Sequence, residues 1–180
     1  MAILLLEDST IEANLGEIVN HLNTLGLHLK NYDPGTSLLF PDLLQQDLIQ
    51  DAQKNYILEL HNSVFEFLRQ EIGYLWSDLQ NVHPGAPNLP NLIATYGQYH
   101  THTAAEPVYV LAGEMIYGFV EPDGSQIQLL LQAQDYLYIP AGTEHWCSPG
   151  ASLHFKAVRY FTNVEGWVPH YTGTQIAWEF

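Results

Sequence analysis

Apolar residues in the first third of the chain recur at helical spacing. Leu15, Ile18, Val19, Leu22 and Leu25 step by three and four, which gathers them on one face of a helix. Ser9 or Thr10 can cap its start, and Gly26 falls where a left-handed residue stops a helix. Leu27–Tyr32 reads as a short strand, closed by the turn Asp33-Pro34-Gly35. Farther on, Leu48, Ala52, Tyr56, Leu60, Val64 and Leu68 step by fours, with Ile49, Ile57 and Phe67 widening the stripe. The spacing predicts a second helix, ended by Gly73.

From Tyr74 the period shortens. β-Branched and aromatic runs predict strands at Tyr74–Val82, Leu92–Tyr99, Val108–Leu111, Met115–Val120, Ile127–Leu131, Tyr136–Ile139 and His154–Phe161. Turn signals separate most of them, among them Pro84-Gly85, Pro122-Asp123-Gly124 and Pro140-Ala141-Gly142. Short strands at this interval suggest a β-sandwich or barrel. The expectation is one domain over residues 1–180. Residues 1–73, mostly helical, lean on a barrel built from residues 74–180.

Composition narrows the function. At 180 residues the chain can hold one sizeable core. Hydrophobic residues make up 47% and charged residues 14%, so the chain is built to fold and not to stay disordered. Twenty acidic residues against five basic ones leave a net charge of −15. Phosphate backbones and anionic lipid repel such a surface, which argues against nucleic-acid or membrane partners. No apolar run approaches the roughly 20 residues of a membrane span. Met1–Leu6 is apolar but lacks a basic start and runs into Glu7 and Asp8, unlike a secretion signal. The lone Cys147 has no partner for an internal disulfide, so a reducing, cytoplasmic setting is expected.

The nine histidines carry the candidate chemistry. In a strand, His100 and His102 share a face and can point at one ion; on a helix they would diverge by about 200°. Glu106 has the same parity, and His145 follows the turn Pro140-Ala141-Gly142, which can return a neighbouring strand beside the first. The bland alternative is a pair of outward-facing polar strand residues. Three imidazoles and one carboxylate suit Fe(II), Ni(II), Mn(II) or Co(II), and four protein ligands leave two positions on a six-coordinate ion, enough for a bidentate ligand. A divalent ion there would act as a Lewis acid.

His100-x-His102-xxx-Glu106 with Gly113, and Pro140-x-Gly142-xx-His145, resemble the two metal motifs of the cupin superfamily. Gln134 stands where that pattern has a glycine, and Pro149 where it has an asparagine. The closing third, through Pro140-Ala-Gly-Thr-Glu-His145-Trp146, Ala157-Val-Arg159-Tyr-Phe161, Glu165-Gly-Trp167-Val168 and Tyr171-Thr-Gly173, resembles the acireductone dioxygenase family. The resemblance implies a mainly β fold, a cupin-type double-stranded β-barrel (jelly roll) behind N-terminal helices. It implies a metal held by His100, His102, Glu106 and His145. The implied reaction, in methionine salvage, converts a methylthio acireductone and O2 to 2-oxo-4-methylthiobutanoate and formate with Fe(II). With Ni(II), the family gives a different cleavage that releases carbon monoxide.

One departure bears on substrate contacts. The family usually carries an arginine two residues after the glutamate, and this chain has Val108, which cannot donate a hydrogen bond. Arg159 is retained at the second basic position and is the candidate catalytic residue; its bland reading is a structural ion pair. Lys156 has the opposite parity and is expected to face away. Trp146 and Trp167 read as pocket lining or plain core. Cys147 could share the face of His145 but lacks a free base. His21, His28, His61 and His83 read as surface or satisfied residues, while His154 and His170 are candidates to support the ligands from behind. A monomer acting on a small enediol is expected. Two other readings accompany it: a cupin dioxygenase for another enediol or diketone, and a non-catalytic cupin that binds a metal or ligand.

Overall fold

The computed structural model describes residues 1–32, 40–163, 165 and 167–177. Its elements, in chain order, are β1 (Ile3–Leu6), β2 (Ile11–Glu12), α1 (Leu15–Thr24), β3 (His28–Asn31), α2 (Phe40–Gln45), α3 (Asp51–Leu60) and α4 (Asn62–Ile72). There follow β4 (Trp76–Val82), α5 (Leu89–Tyr96), β5 (His100–Thr101), β6 (Glu106–Gly113), β7 (Met115–Val120), β8 (Gln126–Leu131), β9 (Asp135–Ile139), β10 (His145–Pro149), β11 (Phe155–Phe161) and β12 (His170–Tyr171). The strands form two antiparallel sheets, ordered β12-β5-β10-β7-β8-β1-β2 and β3-β9-β6-β11-β4.

One core lies between the sheets. Leu4, Met115, Phe119, Ile127 and Leu129 from the first sheet meet Leu29, Val108, Val110, Leu137, Phe155 and Ala157 from the second. A second core lies on the outer face of the five-stranded sheet, where Leu79, Tyr109, Leu111, Val158 and Tyr160 pack with Ile57 and Leu68 of α3 and α4. Period-two strands with both faces covered read as nearly continuous apolar runs, as β6 and β11 do.

The α1 helix is the one the spacing predicts, with Ile18 and Leu22 buried. Its cap is Asn14, whose side chain accepts from the N–H groups of Gly16 and Glu17, and not Ser9 or Thr10. Gly26 adopts a positive φ of 74° after it. The long second helix divides at His61 into α3 and α4, with Gly73 in the left-handed conformation at its end. Leu48 is 75% exposed and precedes the helix. The side chain of Val64 and the turn Asp33-Pro34-Gly35 lie outside the described residues.

Two expectations are corrected. Leu92–Tyr99 is not a strand: α5 runs from Leu89 to Tyr96 with a proline in its first turn, and it buries Leu89 and Leu92 into the core. The N-terminal third does more than lean on a barrel built from residues 74–180. The apolar Met1–Leu6 supplies β1, which pairs with β8, and β3 closes the edge of the second sheet against β9. Among the described residues no helix is long and apolar enough to cross a membrane.

Candidate metal centre

The candidate ligands come from three places that the sheet pairing draws together. His100 and His145 face each other across the β5–β10 pair, so one strand register fixes both. His102 lies two residues on, just beyond β5, and Glu106 opens β6 in the opposite sheet. The turn Pro140-Ala141-Gly142 acts as a clasp: Gly142, at φ 80°, donates its N–H to the His102 carbonyl at 2.9 Å. A side chain at that φ would be strained, which accounts for the glycine of the motif.

All four side chains are buried, and their nearest nitrogen and oxygen atoms lie within 4.8 Å of one another. Each imidazole is turned the same way. Nδ1–H of His100 donates to the Gln98 carbonyl (2.6 Å), that of His102 to Val168 (3.0 Å) and that of His145 to Thr143 (2.9 Å). That tautomer leaves Nε2 of each ring as the lone-pair atom, directed at the common centre. His102 and His145 bring Nε2 to 2.9 and 3.1 Å from Glu106 Oε2. His100 Nε2 is buried without a hydrogen-bond partner among the described residues. A buried acceptor so placed is costly unless something else fills the centre, and a divalent cation answers to this donor set.

The electrostatics agree with an ionised carboxylate at the centre. Burial opposes ionisation of Glu106, but the His145 and His102 rings outweigh it and hold its carboxyl far below the ordinary range. Burial pushes His100 down to about 4, so the ring stays neutral. Burial also works against a charged His102, but the hydrogen bond and charge of Glu106 prevail and raise it.

Beside the cluster lies a small cavity, with Glu106, Tyr117, Cys147, Tyr96, Arg159 and Trp167 in its wall. Leu92, Met115 and Phe155 make the rest of the lining mostly apolar. Arg159 therefore stands in the cavity that Glu106 also lines. Its Nε and Nη2 donate to Asp78 Oδ1 and Oδ2 at 2.9 and 2.5 Å, and its guanidinium lies 5.6 Å from the Trp167 ring. Burial alone would lower its pKa, but Asp78 prevails and keeps it raised. The bland ion-pair reading of Arg159 and its place in the cavity are both present in the structure. Val108 is fully buried, paired with Arg159 on one side and Leu137 on the other.

The other candidates separate cleanly. Lys156 lies on the face opposite Ala157 and Arg159, as parity requires, and is fully buried with its amine 3.5 Å from His154. His154 reaches Asp47 at 3.2 Å, and His170 is exposed, so neither joins the cluster. His21 pairs with Glu121, His28 stacks on Tyr138, and His61 is buried against Tyr109. Trp146 points away from the ligands into a separate apolar cluster with Tyr99 and Ile116. The thiol of Cys147 faces the cavity, but burial raises its pKa well above the usual value, so it is no thiolate.

Sequence reasoning missed Tyr117 and Asp78. Tyr117 has the inward parity of Met115 and Phe119, which was legible, but its partner in the other sheet was not. Asp78 meets Arg159 only through the β4–β11 register.

Comparisons with known proteins agree with one another. The model of the ARD/ARD′ family matches residues 42–169. An acireductone dioxygenase of Nostoc sp. is 70% identical over 176 residues, covering 98% of this chain and 97% of the relative. One from Trichodesmium erythraeum is 44% identical, with coverage of 98% and 97%. Among solved structures, acireductone dioxygenase from Bacillus anthracis with a cadmium ion in its active centre superposes with a TM-score of 0.88. It is 25% identical and covers 95% of this chain and 98% of its own.

Proposed function

The chain belongs to the ARD/ARD′ family, and from that premise we propose that it is an acireductone dioxygenase whose metal is held by His100, His102, Glu106 and His145. The observation that carries the proposal is the shared orientation of the three imidazoles. Each spends its Nδ1–H on a main-chain carbonyl and keeps its Nε2 for the centre.

Fe(II) is the proposed resident metal, and methylthio acireductone the substrate, cleaved with O2 to 2-oxo-4-methylthiobutanoate and formate. When bound, the ion supplies Lewis acidity that favours the ionised enediolate, together with a redox-capable centre. The protein supplies the rest. The carbonyls of Gln98, Thr143 and Val168 hold the imidazoles in register, so the ligands need little reorganisation when the site fills. Leu92, Met115, Phe155 and Trp167 offer an apolar wall for the methylthio tail and exclude water from the enediolate. Arg159, kept in place by Asp78, is the cation available to offset the anionic head, a role that Val108 cannot share.

Anaerobic loading with Fe(II), followed by acireductone in an oxygen electrode and assay of formate, tests the activity. Oxygen uptake with stoichiometric formate is expected. The variant His100→Ala should lose the metal and the uptake together, whereas Arg159→Leu should keep the metal and raise KM. An iron-loaded parent that consumes no oxygen would refute the assignment.

A further inference from the structure

Tyr117 is a buried phenol on the inner face of β7, one strand step from Phe119. The two rings lie nearly parallel, 6.2 Å apart with 9° between their planes. A plain phenyl therefore packs on this face without difficulty, and the hydroxyl of Tyr117 adds nothing to the apolar contact. A buried hydroxyl is retained at a cost unless it is bonded. Its O–H donates to Glu106 Oε1 at 3.0 Å. The other oxygen, Oε2, is the one that His102 and His145 approach at 2.9 and 3.1 Å. The carboxylate is thus divided: one oxygen is spoken for by the phenol, the other is turned to the imidazoles. Val108, on the same face two residues after Glu106, offers no donor that could do this instead.

Resting on the four-ligand reading above, we propose that Tyr117 is a positioning residue that fixes the Glu106 carboxylate so that Oε2 alone serves the metal. It acts on the centre through Glu106 and is not itself a ligand. Hydrogen bonds to ligating carboxylates typically change metal affinity by about 10- to 100-fold when removed.

The test is chelator-competition binding of Co(II), followed by its visible absorption spectrum, for the parent, Tyr117→Phe, Glu106→Ala and the double variant. Tyr117→Phe keeps the ring, and its metal-free form should still unfold cooperatively, with Tm lowered by no more than the loss of one buried hydrogen bond accounts for. Its Co(II) affinity should fall about tenfold or more, with a changed absorption band because the carboxylate is free to rotate. In the Glu106→Ala background the same substitution should change neither affinity nor spectrum. A Tyr117→Phe protein with parental affinity and spectrum, beside a Glu106→Ala protein that has lost Co(II), overturns the positioning role and leaves the ligand assignment standing. Parental affinity in Glu106→Ala as well overturns both. An equal loss on removing the phenol hydroxyl with and without Glu106 assigns the effect to general packing and also overturns the proposal.

Discussion

The indole of Trp146 lies directly on Gly118, its partner across the β7–β10 pair. A Cβ built at Gly118 would stand 2.0 Å from Trp146 Nε1, 2.3 Å from Cε2 and 2.8 Å from Cδ1. Ordinary van der Waals contact begins near 3.4 Å, so the Gly118→Ala substitution requires the ring to withdraw by about 1.4 Å. A groove lined by Trp146, Ile116, Leu130 and Ile176 opens on one side of the ring, but withdrawing into it breaks the ring's present packing. Trp146 is 4% exposed and packed with Tyr99 and Ile116, and Leu130 and Ile176 lie alongside. Overpacking of this kind costs roughly 1–3 kcal/mol, and a displacement of this size belongs at the upper end. For a chain of this length, 3 kcal/mol corresponds to a fall in Tm of roughly 6–12 °C. Because strand side chains alternate, Trp146 faces outward while His145 faces the ligand centre, so the substitution stresses the packing without removing a ligand. The assay is a double-mutant cycle by thermal unfolding, with Trp146→Leu as the partner substitution. With the indole removed, the alanine should cost less than about 1 kcal/mol, giving a coupling of roughly 2 kcal/mol. Costs that add to within about 0.5 kcal/mol, or a Gly118→Ala protein with the parental Tm, would refute the contact as the reason for the glycine.

Three further outcomes are expected. Gln134 holds a left-handed backbone at φ 77°, and among the described residues only its main-chain groups are engaged, with Val110 and Tyr32; Gln134→Gly should raise stability by about 0.5–1 kcal/mol, read as a higher urea midpoint. Burial lowers the pKa of His61 to about 4 from 6.5, so the unfolded chain takes up a proton that the folded one refuses. The associated stability is present above pH 6.5 and is lost progressively as the pH falls toward 4, by up to about 3 kcal/mol; His61→Phe should flatten the urea-midpoint profile over that window, and parallel profiles would exclude His61 as the cause. Metal that binds only the folded chain stabilises it by about 4 kcal/mol at a thousandfold excess over Kd, so chelation should lower Tm by roughly 8–16 °C in the parent and leave His100→Ala unmoved.

Much of the metal centre was legible because its chemistry is encoded at short range. The i, i+2 spacing of His100 and His102 has meaning only in extended chain, and the turn at Pro140-Ala141-Gly142 announces its own backbone conformation. The apolar period likewise located α1 and the strands β7, β8 and β9 to within a residue or so. Where a segment is apolar on every face, periodicity loses its discriminating power. Leu89–Tyr96 is a helix whose Leu and Ile content read as a strand, and Ile3–Leu6 is a sheet strand whose partner β8 lies more than a hundred residues away.

What the amino-acid order determined by itself is the inventory: three imidazoles and a carboxylate at ligand spacing, Arg159 as the candidate cation, and Val108 two residues after the glutamate. Tertiary structure alone decided their relations. Only strand register sets His100 opposite His145, brings Asp78 to Arg159 and carries the Tyr117 hydroxyl to Glu106 in the facing sheet. Only the return of the C-terminal segment supplies the Val168 carbonyl that orients His102. Local sequence governs which dihedrals and faces a residue can adopt, whereas the choice of partner depends on how whole sheets bury their apolar faces against each other, a property of the entire chain.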